Sequence, residues 1–168
     1  MEVEVIRSAR RRKTVSARQV GQVLRVSIPG TMSATQEQRW IDEMTRRFER
    51  RARADRVDLT KRADTLAARF DLPRPASIRW VDNQHARWGS CTPVDGSVRI
   101  SSRLAGFPSW VLDHVIVHEL AHLVEPGHGP GFKALIARDP MAERVTGFLI
   151  AKGMEGDSPD EGADPPLG

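Results

Sequence analysis

"HELAHLVEPGH", residues 118–128, is the stretch on which the reading of this chain turns. It holds three of the chain's five histidines, with Glu119 beside the first. On an α-helix, positions four apart lie on one face, about 6 Å apart along the axis. His118 and His122 can therefore grip one cation from the same side. Glu119 is turned about 100° from His118, so it can reach water at that cation without binding the cation itself. Two imidazoles and one base on one helix are the equipment of a zinc hydrolase.

The flanking residues support a helix here. Val111, Val115, Ile116, Leu120 and Leu123 give it an apolar back. Ser109 is placed to cap its start, and Pro126-Gly127 to end it. A zinc site with three protein ligands and one open position needs a further donor, and four residues offer one. His128 follows the stop, where a chain reversing at Pro126-Gly127 can swing it back under the metal. Glu125 shares the helical face of 118 and 122, but Pro126 pushes the residue before it out of the helix. Glu143 is available from a later helix. His114 lies about 12 Å along the axis from His122, too far for one ion to bind both. His128 is the best placed of the four.

Upstream, "SIRWV" (77–81) alternates as a strand does. "RWGSC" (87–91) leads to Asp95-Gly96, a hairpin turn signal, and "SVRIS" (97–101) returns with Val98 and Ile100 on one face. Gly89 would let a substrate backbone approach closely as an added strand. The alternative is that Trp88 packs in the core and Gly89 makes a bulge. Cys91 reads as a small buried residue, since a fourth protein ligand would close the metal's open position. His85, Arg87 and His114 are candidate donors to a developing oxyanion, and the sequence does not choose among them.

Further out, residues 2–29 alternate in places around Gly21, which predicts a hairpin with a basic second face ending at Pro29-Gly30. Thr35 with Gln38 reads as a capping box, and Trp40, Ile41, Met44 and Phe48 follow as an apolar helical stripe. A second helix is expected from about Asp58 to Phe70, ended by Pro73 and Pro75, and two short ones near 130–138 and 140–151. From Gly153 onward the chain is mostly Gly, Pro and acid with one leucine, which predicts a disordered acidic tail over 153–168.

"RWGSC" at 87–91 followed by "HELAHLVEPGHGPGF" at 118–132 resembles the YgjP-like metallopeptidase domain, related to the SprT-like and other zincin proteases. That family pairs a WGSC-type strand and hairpin with a helix ending in HELAHL, and has a third histidine six residues after the second. His118, Glu119, His122 and His128 match it position by position. Two departures stand out. Phe132 is followed by Lys133 where the family often has tryptophan, and the chain has no tyrosine.

The resemblance implies an α+β, zincin-like fold: a small antiparallel sheet, an active-site helix carrying HExxH, and flanking helices. It implies a single domain over 1–152, with a basic N-terminal hairpin and helices over 1–76 and a metal-binding core over 77–152. The implied function is a metallopeptidase with one Zn2+ per chain, held by His118, His122 and His128, with Glu119 as catalytic base. His85, Arg87, Trp88 and Gly89 are the candidate substrate-binding residues, and a peptide or protein is the expected substrate. The resemblance also extends to a metal-dependent nucleoside triphosphate pyrophosphatase activity, for which Arg10, Arg11, Arg12 and Lys13 would serve phosphates. A third reading is a nucleic-acid-associated protein with a structural metal, although structural zinc is closed by four ligands.

Bulk properties bound these readings. At 168 residues, 39% hydrophobic and 29% charged, the chain has the composition of a globular domain. Residues 1–91 hold 20 Lys/Arg against 11 Asp/Glu, and residues 92–168 hold 6 against 11. The basic half can meet a nucleotide, a nucleic acid or an acidic partner; a solvated basic face is the plainer account. No stretch is apolar for long enough to span a membrane, and the start lacks a signal-peptide pattern. The single Cys91 excludes an internal disulfide, so a cytoplasmic location is expected.

Overall fold

The computed structural model describes residues 2–84 and 86–154. The elements, in order, are β1 (Glu2–Ser8), β2 (Ser16–Val20), β3 (Val23–Pro29), α1 (Ala34–Ala54) and α2 (Leu59–Phe70). They continue with β4 (Ser77–Val81), β5 (Gly89–Thr92), β6 (Ser97–Ser101), α3 (Ser109–Ala121), α4 (Pro130–Ile136) and α5 (Ala142–Met154). The chain divides into two compact units, residues 1–52 and residues from Arg53 onward.

In the first unit β2 and β3 form the expected hairpin, with Gly21 at φ 61° in its turn. β1 adds to the other edge of β3 in parallel, which alternation alone does not reveal. Leu24, Val26 and Ile28 of β3 are fully buried with Met44 of α1, and Trp40 and Phe48 pack against them. The capping box at the start of α1 is Ser33 with Gln36, not Thr35 with Gln38. The Gln36 N–H donates to Ser33 Oγ, and the Ser33 N–H to Gln36 Oε1, each at 3.3 Å. Both pairs satisfy the pattern; Ser33 prevails because it sits where the chain leaves the strand and its turn.

The second unit holds the other sheet, ordered β4-β6-β5. β5 and β6 form the hairpin expected at Asp95-Gly96, with Gly96 at φ 65°. β4 runs parallel to β6, so both small sheets are mixed rather than wholly antiparallel within the α+β class expected. α2 begins where expected, and Asp58 caps it: its carboxylate accepts the Lys61 N–H at 3.0 Å.

α3 is the axis of this unit and packs against α2, α4, α5, β5 and β6. Every residue from His114 to Ala121 is buried, so the helix has no polar face to balance an apolar one. Enclosure on all sides is what removes His114, His118 and Glu119 from water. Its less buried first turns are fastened instead by charge. Arg62 of α2 grips Asp113 through Nε–Oδ1 at 2.5 Å and Nη2–Oδ2 at 3.0 Å. No side chain caps its start; Ser109 is its first residue and Pro108 occupies the cap position. α5 runs on through Gly153 and Met154, and the rest of the expected tail, 155–168, lies outside the described residues. Among the described residues no helix is long and apolar enough to cross a membrane.

Candidate metal centre

His118 and His122 face the same way from the last turn of α3, and His128 approaches from the turn before α4. Nε2 of His118 lies 3.2 Å from Nε2 of His122 and 3.5 Å from Nε2 of His128. The donor atoms of the three residues all lie within 4.8 Å of one another. Tetrahedral zinc with bonds of about 2.0–2.1 Å sets its nitrogens roughly 3.3 Å apart, so these separations suit one such ion. The helix ends at Ala121, and the chain winds on through Val124 and Glu125 before it turns. That winding places the carbonyl of Glu125 to accept the Nδ1–H of His122 at 3.0 Å. The bond fixes the tautomer that leaves the His122 Nε2 lone pair toward the other two rings.

Phe132, 4% exposed, is the floor of the cluster. Its ring stacks on His122 at 4.4 Å and meets His118 and His128 edge-on at 4.8 and 4.7 Å. An apolar wall on this side excludes water and strengthens the field at the donors. Burial, with the neighbouring His122, His114 and His128, pushes the His118 pKa down to about 3. His122 is lowered too, chiefly by burial. Both rings are therefore neutral donors at neutral pH.

Glu119 is fully buried, and neither carboxylate oxygen has a hydrogen-bond partner. An isolated carboxylate out of water is costly, and burial raises its pKa to about 8, against the opposing pull of the Arg87 guanidinium. Three converging imidazoles, with an orphaned carboxyl at the residue next to the first, fit a divalent cation and its water.

Gly89 at the start of β5 makes room for it: a Cβ there would lie 2.5 Å from Glu119 Oε1. The close approach that the glycine permits is thus to Glu119. Trp88 is 2% exposed, packed on Phe107 at 5.3 Å with Arg103 stacked 3.9 Å over its ring. Arg87 is exposed at the mouth of this strand, and His85 lies outside the described residues. Cys91 is half-buried, and burial, Glu119 and Asp95 push its thiol up to about 11, so it stays protonated. It is not among the clustered donors, and neither are Glu125 and Glu143, which are exposed. The Glu125 side chain lies against Gly131, where a Cβ would come within 2.7 Å of its Oε1.

Sequence reasoning did not single out Asp139, whose Oδ2 lies 2.6 Å from Nδ1 of the buried His114. The two are 25 residues apart and no local pattern links them.

The YgjP-like, metallopeptidase domain family matches residues 6–142. The crystal structure of the metallopeptidase zymogen of Pyrococcus abyssi abylysin resembles this chain with a TM-score of 0.50 at 15% identity. The likeness covers 55% of this chain and 91% of that one. At that identity it is a likeness of fold. No curated protein matches the sequence.

Proposed function

The chain belongs to the YgjP-like metallopeptidase domain family, and we propose that it is a zinc-dependent peptidase with His118, His122 and His128 as ligands and Glu119 as base. The observation that carries this reading is the convergence of three imidazole nitrogens, together with a buried carboxyl without a partner at the residue next to His118. Zinc, when bound, supplies Lewis acidity that brings the pKa of water near neutrality and draws charge from a carbonyl. Its charge would also draw the Glu119 pKa back down from about 8, leaving a carboxylate able to accept a proton. Glu119 then takes the proton of the attacking water at a carboxylate oxygen and returns it to the departing amide nitrogen. Gly89 and the wall of α3 hold that carboxylate in place.

A peptide suits this site because β5 is an edge strand of its sheet, paired with β6 alone among the described residues, and an edge strand can take an added one. Arg87, exposed two residues before Gly89, is placed to meet such a substrate. The test is elemental analysis of the purified protein together with hydrolysis of a peptide library, with and without a chelator. Zinc near one equivalent and chelator-sensitive cleavage are expected. Absence of zinc uptake would end the reading.

A further inference from the structure

One turn before His118, on the same face of α3, stands another buried histidine. His114 is 2% exposed, and its Nδ1 lies 2.6 Å from Oδ2 of Asp139, 8% exposed. An imidazole N–H beside a carboxylate donates to it. The other oxygen, Oδ1, accepts the Met141 N–H at 2.9 Å, and the Asp139 carbonyl accepts that of Ala142 at 3.2 Å. The Asp139 N–H in turn donates to Ile136 O at 2.9 Å, closing the end of α4. Asp139 thus joins the end of α4 and the start of α5 to the face of α3 that carries the ligands.

α4 is the element that this junction holds. Seven residues make less than two turns, too short to be stable alone. Phe132, its one buried residue, is the ring that touches all three imidazoles. His128 lies two residues before its start, so the position of the third donor follows the position of α4. Arg138 fastens the same end of α4 to Phe70 O at 2.9 Å, whereas the Asp139 side chain bonds to α3.

We propose that His114 and Asp139 are a positioning pair that holds α4 against α3, keeping His128 within reach of the metal that His118 and His122 bind. The proposal rests on the three-histidine reading above. A pair that merely stabilised the fold would weaken all three ligands alike, whereas this one acts through His128.

The test is a double-mutant cycle on the full chain, read as the zinc dissociation constant by chelator competition and as the Co2+ absorption spectrum. In Asp139→Asn, Oδ1 can still accept from Met141, but the amide cannot accept from His114. Zinc binding should weaken by about 10- to 100-fold, and the cobalt spectrum should move toward that of His128→Ala. In a His128→Ala background the same change should have no further effect. His114→Asn keeps an N–H near the place of Nδ1 and should bind zinc close to wild type. Should Asp139→Asn not fold, His114→Gln, whose amide sits one bond further out, runs the same cycle. Wild-type zinc affinity in Asp139→Asn, or full additivity with His128→Ala, overturns the positioning role and leaves the zinc site standing. A wild-type chain that binds neither metal overturns both.

Discussion

Gly89 and Glu119 are packed so closely that a β-carbon at position 89 would lie 2.5, 2.8 and 2.9 Å from Oε1, Cγ and Cδ of the glutamate. The contact is side chain to backbone between β5 and the most buried turn of α3, where neither partner has room to retreat. Gly89→Ala should therefore displace the Glu119 carboxylate and leave the three imidazoles alone. Misplacing a catalytic group by about 1 Å costs on the order of 10²-fold in rate. Zinc content should stay at the wild-type level while turnover falls by roughly that factor. Unchanged peptide hydrolysis by Gly89→Ala would show that this packing does not set the base.

The same burial has a signature in stability. In the metal-free protein the Glu119 carboxyl is raised from 4.5 to about 8. Below pH 4.5 both folded and unfolded chains hold the proton. Between 4.5 and 8 the unfolded chain has released it and the folded chain has not, so stability is lost as pH rises through this window. The Glu119→Gln variant has no titrating proton at this position, so the contribution there is flat with pH. His118 and His122 are lowered by burial and lose stability as pH falls below the ordinary histidine range, equally in both proteins. Thermal unfolding in chelator should show little advantage for Glu119→Gln at about pH 4 and a clear one at about pH 8. An advantage independent of pH would contradict the raised carboxyl.

What the sequence made legible was what is local. The two histidines four apart, the start of α2 near Asp58 and the Asp95-Gly96 turn are set by helical period and turn chemistry within a few residues. His128 was within reach because Pro126 and Gly127 force the chain back toward His118. What stayed hidden was tertiary. β1 could have joined either edge, and its parallel pairing with β3 is fixed by burial of Val3 and Val5 against a core that alternation does not locate. The enclosure of α3 on every side, the need for Gly89 to accommodate Glu119, and the pairing of His114 with Asp139 all depend on residues far apart in the chain.

Phe132 shows what the apolar floor contributes. Truncating a buried phenylalanine costs about 3–5 kcal/mol through lost burial and the cavity left behind. Here the cavity would open under the three imidazoles proposed to hold the metal, whose rings all touch the phenylalanine. Phe132→Ala should lower denaturant stability by that order in chelator. The loss should be larger in zinc, because weaker binding also withdraws the ligand's contribution to folding. Equal losses with and without zinc would mean that the ring supports the fold but not the ligands.

Base, ligand and bystander are separable by three substitutions. Glu119→Gln keeps size and polarity but cannot take a proton, so zinc should remain while turnover falls roughly 10²–10⁴-fold. His128→Ala removes a donor that stands 3.5 Å from Nε2 of His118, so zinc affinity and activity should fall together. Glu125→Ala is the control. Its side chain lies against Gly131, and what it gives the site is its main-chain carbonyl, which accepts from His122 Nδ1 at 3.0 Å and survives the substitution. Zinc content and hydrolysis should both persist in Glu125→Ala. Loss of metal from that variant, with retention in His128→Ala, would place the third ligand on the wrong residue. Normal hydrolysis by Glu119→Gln would remove the base from the mechanism whatever metal is bound.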